Sequence, residues 1–235
     1  LLRKALPDWT DDEVHLLHSR FTVADRKARE TEITAALGPD PTARPKRLIV
    51  VGTQVLEQSL DIDVDLMVSD VAPMDLIIQR IGRLHRHRAH DAGRPAAFAA
   101  PRLLLTGAVI GDEEVAPIFP RGSEIVYNRS LLLRTLAALH NHGDGLDGVL
   151  TIVSPDDVAP LIQATYADDP DIPDSWRAIW HAAETSRVNT AHNRAAQAAR
   201  HLLAPPPSAT SYATLLGWND IASTEEHRGA SAVRD

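Results

Sequence analysis

Short apolar runs alternate with amphipathic stretches over the first hundred residues. The clearest case lies between Leu48 and Arg88, LIVVGTQVLEQSLDIDVDLMVSDVAPMDLIIQRIGRLHRHR. Leu48 to Val51 is almost wholly apolar and ends on Gly52, the pattern of a strand buried on both faces. Thr53, Gln54, Glu57 and Gln58 follow, and a short helix is expected near Gln54 to Gln58. Asp61, Asp63 and Asp65 then lead into a second apolar run, with a strand expected over Asp65 to Ser69. After Pro73, Leu76, Ile77, Ile81 and Leu84 form a stripe interrupted by Gln79, Arg80, Arg83 and Arg86. That spacing predicts a helix from Met74 to about His87.

The flanking chain continues the alternation. Val14 to Leu17 reads as a strand leading into His18, Ser19, Arg20 and Phe21. Thr22 with Asp25 resembles a capping box and opens a helix to about Leu37, which Gly38-Pro39 stops. A loop from Asp40 to Arg47, a second from Ala89 to Pro101 and a strand from Arg102 to Thr106 complete this part. Beyond Gly107 the pattern turns helical, with helices expected over Ser130 to His140 and Ser175 to Leu203. Ser154-Pro155-Asp156-Asp157 reads as a helix start with Ser as cap, and Pro205-Pro206-Pro207 as a linker. Strands alternating with helices predict an α/β fold, a parallel sheet flanked by helices whose strand ends carry the chemistry. The expected segments are 1–150 as the sheet domain, 151–204 as a helical extension and linker, and 205–235 as the start of an incomplete accessory domain.

Composition narrows the class. The 235 residues are 44% hydrophobic and 24% charged, values of a globular chain able to bury a core. No run of about 18 apolar residues suggests a membrane span, and the N-terminus does not read as a signal peptide. With no cysteine, disulfides and thiolate metal sites are excluded, and a cytoplasmic setting is expected. The first residue is Leu, consistent with a fragment or a processed chain. The net charge of -8 argues against coating nucleic acid by charge alone, yet Arg80, Arg83, Arg86, Arg88 and Arg94 cluster among His85, His87 and His90. Arginine outnumbers lysine by 21 to 3, which suits bidentate phosphate contacts but is equally what codon bias produces.

Several groups carry candidate chemistry. On a helix, Gln79, Arg83 and Arg86 share one face, and the two arginines can reach the phosphates of a nucleotide held by a neighbouring domain. The bland alternative is a solvated basic face. Arg80 points elsewhere and suits a structural or backbone contact. Thr53 and Gln54 at a strand's C-terminal end can bond a phosphate backbone without reading bases. Asp61 is a plausible ribose acceptor; Asp61, Asp63 and Asp65 can also be ordinary strand-entry acids, and they lack the glycine and distal glutamate of a calcium loop. His18-Ser19-Arg20 would lie beside Thr53 in a parallel sheet, as a DNA-backbone contact or a capped loop. His85, His87 and His90 suit phosphate or DNA contacts, or simple solvation, better than a metal site. Asp12-Glu13-Val14-His15 lacks the preceding strand that a magnesium-binding acidic motif needs. No G-x-x-x-x-G-K-[ST] occurs, so this chain holds no phosphate-cradling loop of its own.

T-Q-V-x-E-Q-S-L-D-x-D-x-D followed by Q-R-x-G-R-x-x-R-H resembles the fifth and sixth motifs of superfamily-two helicases. The variant Glu57-Gln58-Ser59-Leu60-Asp61, together with His18-Ser19-Arg20-Phe21, narrows the likeness to the helicase–nuclease of type I CRISPR systems. The resemblance implies the second of two RecA-like motor domains of an ATP-dependent translocase on single-stranded DNA. It implies that Arg83 and Arg86 act as arginine fingers, with Asp61 and Gln79 also facing the nucleotide. His18, Ser19, Arg20, Thr53, Gln54, Glu57 and Arg80 would face DNA. ATP and magnesium would be held chiefly by a first RecA-like domain, with an HD nuclease domain also upstream and a CRISPR surveillance complex as partner. Rival readings are another superfamily-two helicase of repair or RNA metabolism, a non-catalytic nucleic-acid-binding module, and a metal-dependent nuclease.

Overall fold

The computed structural model describes residues 7–57, 60–111, 115–143, 145–146 and 148–201, without the side chains of Asp11, Arg200 and His201. The expected accessory segment 205–235 lies outside the described residues, as do Gln58 and Ser59. Strand β1 (Val14–Leu17) is followed by helix α1 (Val23–Leu37) and strand β2 (Ile49–Gly52). Strand β3 (Leu66–Asp70), helix α2 (Met74–Ile81) and strand β4 (Arg102–Thr106) form a second unit of the same kind. Helices α3 (Arg121–Tyr127), α4 (Arg129–Gly143), α5 (Val158–Tyr166) and α6 (Asp174–His201) follow. By contacts, residues 1–188 form one compact unit, and of the second, 189–235, only the end of α6 is described.

The strands fall into two parallel pairs, β1 with β2 and β3 with β4, each joined through a helix as parallel pairing requires. In the first pair Leu17 lies opposite Gly52; in the second, Leu66 lies opposite Arg102. Thr22 caps α1 through a reciprocal contact, its hydroxyl accepting from Asp25 N–H at 3.2 Å and donating to the Asp25 carboxylate at 2.7 Å. The apolar side of α1 packs Ile33 and Leu37 against Leu17, Leu60 and Ile62. A larger core gathers Met74 and Ile77 of α2, Leu132, Leu133 and Leu136 of α4, Leu161 of α5, and Ile172, Trp176 and Trp180. Each such side chain contributes about 1.5–3 kcal/mol by leaving water. Residues 151–188 therefore share a core with the sheet-bearing part.

Three local expectations change. The helix expected to reach His87 ends at Ile81, with Gly82 as its C-cap. Arg83 and Leu84 instead run beside Val64: Val64 N–H donates to Arg83 O at 2.9 Å and His85 N–H to Val64 O at 3.2 Å. Glycine at position 82 costs a continuing helix about 1 kcal/mol, and pairing with Val64 buries Leu84 without it. Ser154 is not a helix cap: α5 begins at Val158 after Asp157, whose carboxylate turns back to accept Val153 N–H at 2.6 Å. Helix α3 was not anticipated, because RGSEIVY mixes Gly, Ser and β-branched residues without an apolar stripe.

Candidate functional site

Parallel pairing brings the ends of β1 and β2 to one edge. Thr53 N–H donates to Leu17 O at 3.2 Å, so the segment starting at His18 leaves the sheet next to Thr53 and Gln54. Gly52 permits the turn there: a Cβ at that position would lie 2.4 Å from Leu56 Cδ1, which folds over it from the 3-10 turn Gln54–Glu57. Thr53, Gln54, Ser19 and Arg20 are exposed. The His18 ring stacks on Phe21 with centroids 4.2 Å apart, its Nδ1 accepts Arg20 N–H at 3.2 Å, and Arg29 covers the Phe21 ring. The edge thus offers hydroxyl, amide and guanidinium groups on a braced backbone.

Glu57 and Arg80 do not join that edge. The Glu57 carboxylate, only 7% exposed, accepts from Arg80, which also donates to Tyr127 Oη at 3.1 Å and Asp70 O at 2.9 Å and to Ser69 Oγ. Every side of this guanidinium is used inside the fold, which is the structural alternative expected for Arg80, and Glu57 is its partner in an internal brace. The reason is that β3 and α3 deliver their acceptors to the same place.

The arginine segment forms the other half of the site. Because the helix stops early, Gln79 is the last exposed residue of the expected trio still on α2, and Arg83 and Arg86 lie on the chain beside Val64. The shared helical face is therefore replaced by a turn, in which Arg83 N–H and Leu84 N–H bond Arg80 O and Ile81 O, each at 2.9 Å, before the chain pairs with Val64. The left-handed φ of 47° at His85 turns the chain again. Arg83 donates from Nη2 to Glu57 O at 3.2 Å, its Nε is buried without a partner, and among the described residues it makes no ion pair. Burial, and then the nearby Arg86 charge, hold its pKa below the ordinary arginine value. Arg86 is exposed; its Nε donates to the Asp61 carboxylate at 2.7 Å and its Nη1 to Gly82 O at 3.2 Å. His87 Nε2 lies 3.1 Å from the same carboxylate but off the line of a hydrogen bond. Hydrogen bonding from Arg86 keeps Asp61 below the usual carboxylate range.

The three aspartates are not equivalent. Asp61 is exposed, whereas Asp63 is fully buried between Arg44 and Arg94. His90, expected at a phosphate or in solvent, is buried with Nε2 at 2.8 Å from Gly38 O. Arg94, counted in the basic cluster, has a side chain only 4% exposed. Arg44 was passed over because nothing in its proline-flanked loop marks a residue that pairs with positions 63 and 65. Among the described residues no group of three or more His, Asp or Glu is arranged to hold a metal ion. No described helix is long and apolar enough to cross a membrane.

Residues 1–89 match the family profile described as the C-terminal part of the CRISPR-associated nuclease/helicase Cas3. The chain is a relative of Cas3 in its C-terminal motor portion. It is 43% identical over 159 residues to the Cas3 nuclease/helicase of Streptococcus thermophilus, covering 68% of this chain and 15% of that one. The Cas3 endonuclease/helicase of Thermus thermophilus is 50% identical over 102 residues, 43% of this chain and 10% of its own. A crystal structure of T. fusca Cas3-ATP superposes with a TM-score of 0.70 at 32% identity, covering 87% of this chain and 21% of that one. The chain thus spans a small part of the Cas3 proteins it matches. The RecA-like Cas3 fold accounts for the parallel β–α–β units and for the helical part that packs on them.

Proposed function

We propose that this chain is the second motor domain of an ATP-dependent translocase on single-stranded DNA acting in CRISPR interference. Arg83 and Arg86 supply positive charge to the phosphates of an ATP held by a first RecA-like domain. His18, Ser19, Arg20, Thr53 and Gln54 hold the DNA backbone, and Asp61 and Gln79 lie toward the nucleotide. The observation that carries this reading is Arg83: a partly buried guanidinium that, among the described residues, has no carboxylate partner and an unpartnered Nε. Desolvated positive charge is costly unless an anion meets it, and a transferring phosphoryl group is the anion such a residue stabilises. The Cas3 structure bound to ATP supports nucleotide as that anion.

Among the described residues, the three aspartates of this site do not suit a magnesium ion. Asp63 and Asp65 are taken up by Arg44 and Arg94, and Asp61 by Arg86. Magnesium and the phosphate cradle belong to the first motor domain, with the HD nuclease domain beyond it and the surveillance complex delivering the DNA. The test is ATP hydrolysis by a Cas3 N-terminal portion carrying nuclease and first motor domains, with and without this chain and a single-stranded oligonucleotide. Turnover that needs both additions supports the reading. Turnover indifferent to this chain overturns it. RNA stimulating as well as DNA would favour a helicase of RNA metabolism.

A further inference from the structure

The path carrying Arg83 and Arg86 has no helix to fix it, yet it is not a free loop. Its first half is pinned by the two backbone bonds with Val64. Its second half is pinned by one carboxylate: Asp63 Oδ2 accepts His87 N–H at 2.6 Å. Asp63 is held in turn by a fork from Arg94, whose Nη1 and Nη2 donate to Oδ1 and Oδ2, each at 2.9 Å. Arg94 Nη1 also reaches Asp65 at 2.5 Å, and Nε reaches Asp91 at 3.2 Å. Arg44 donates from Nη1 to Asp63 O at 3.0 Å and Oδ1 at 3.3 Å, and its Nη2 forms an ion pair with Asp65 at 2.9 Å. Asp63 N–H donates to Leu37 O at 2.8 Å, which ties the assembly to the end of α1. The carboxylate has no exposure at all.

A fully buried carboxylate is costly, and burial alone would raise the pKa of Asp63. The Arg94 fork, the His87 N–H and Arg44 more than offset this and hold it below the ordinary value. Such an arrangement specifies geometry more than it adds stability, since an apolar cluster of equal volume would be at least as stable. Its geometric product is the position of the backbone at His87, one residue after Arg86.

We propose that Asp63, fixed by Arg94 and Arg44, is the positioning residue that presents Arg83 and Arg86 to the nucleotide. It acts by anchoring the His87 backbone while leaving both guanidinium groups unblocked by itself. This assignment rests on the arginine-finger reading above. Misplacement of a reacting group by about 1 Å lowers turnover on the order of a hundredfold, so an anchor of this kind acts on kcat. Arg94 is therefore a positioning residue too, through Asp63, and lysine cannot replace its fork.

The test has two readouts on Asp63→Asn, with Arg94→Lys as a second variant should the first not fold. Backbone hydrogen exchange is followed in this chain alone, comparing the peptide over 83–88 with peptides from α4 and β3. ATP turnover is followed with the Cas3 N-terminal portion and single-stranded DNA. The expected result is exchange at least tenfold faster over 83–88 with α4 and β3 unchanged, and kcat reduced tenfold or more at an unchanged KM for ATP. Unchanged exchange over 83–88 overturns the anchor. Faster exchange throughout the chain also overturns it, because the residue would then be a general stabiliser. Faster local exchange with wild-type kcat overturns the role in turnover. If the wild-type mixture is silent, the motor reading itself has failed, and the exchange result still decides whether Asp63 anchors the segment.

Discussion

Asp61 and Arg86 face each other, the carboxylate accepting the arginine Nε at 2.7 Å. The two side chains are 50% and 42% exposed, so their ion pair is screened by water and worth about 0–1 kcal/mol. An approaching phosphate can therefore take Arg86 from Asp61 at small cost. Asp61→Asn is expected to change unfolding free energy by less than about 1 kcal/mol in urea titration. A larger loss would make the pair structural and withdraw Arg86 from the nucleotide.

Arg80 and Glu57 make the opposite kind of pair, with 13% and 7% exposure. Arg80→Met leaves the Glu57 carboxylate buried without its partner, and a cost of about 3 kcal/mol is expected. Adding Glu57→Gln should restore a good part of it, measurable as a coupling in a double-mutant cycle. Affinity for single-stranded DNA, read on folded protein, should not depend on Arg80. Loss of affinity with unchanged fold would return Arg80 to the DNA-facing set.

Arg20 is exposed on the segment that leaves the sheet next to Thr53; its backbone N–H bonds His18, and its side chain makes no hydrogen bond or ion pair among the described residues. Arg20→Ala is expected to weaken oligonucleotide binding and to lower the slope of log affinity against log salt by about 0.7. Fluorescence anisotropy across a salt series reads both. An unchanged slope would place the backbone contact elsewhere on the edge.

Glu184 on α6 ties that helix to α4. It accepts from Arg187, from Ser130 Oγ at 2.6 Å and from Arg134 at 3.2 Å. The Arg187 hydrogen bond is the largest of the influences that bring its pKa down to about 2. A carboxylate depressed in the folded state stabilises it fully above the ordinary value of 4.5 and loses that contribution as pH falls toward 2. Wild type should therefore exceed Glu184→Gln by about 2 kcal/mol near neutrality, with the gap closing between those two pH values. A gap independent of pH would assign the difference to packing and the Ser130 hydrogen bond instead.

The β–α–β units were legible because apolar runs, the Thr22–Asp25 cap and the Gly38-Pro39 stop are local signals. The path of Arg83 and Arg86 was not. Leu76, Ile77, Ile81 and Leu84 keep helical spacing, but Leu84 is buried by pairing beside Val64, and periodicity does not distinguish the two burials. The roles of Glu57, Arg80, Asp63 and Arg94 were also hidden, since each is decided by partners 23 to 31 positions away. A polar side chain in a motif reads alike whether it faces a ligand or a buried counter-ion. The adjacency of His18 to Thr53 was legible, because parallel register follows from strand order.

The central claim is that Arg83 acts on the transferring phosphate and not on ATP affinity. Its most direct measurement is single-turnover cleavage of the γ-phosphate at saturating ATP and single-stranded DNA, comparing wild type with Arg83→Ala in the mixture with the Cas3 N-terminal portion. The expected result is a rate lowered by about a thousandfold, with ATP affinity and the unfolding midpoint nearly unchanged. A rate equal to wild type, or a loss that saturating ATP repairs, would contradict the account.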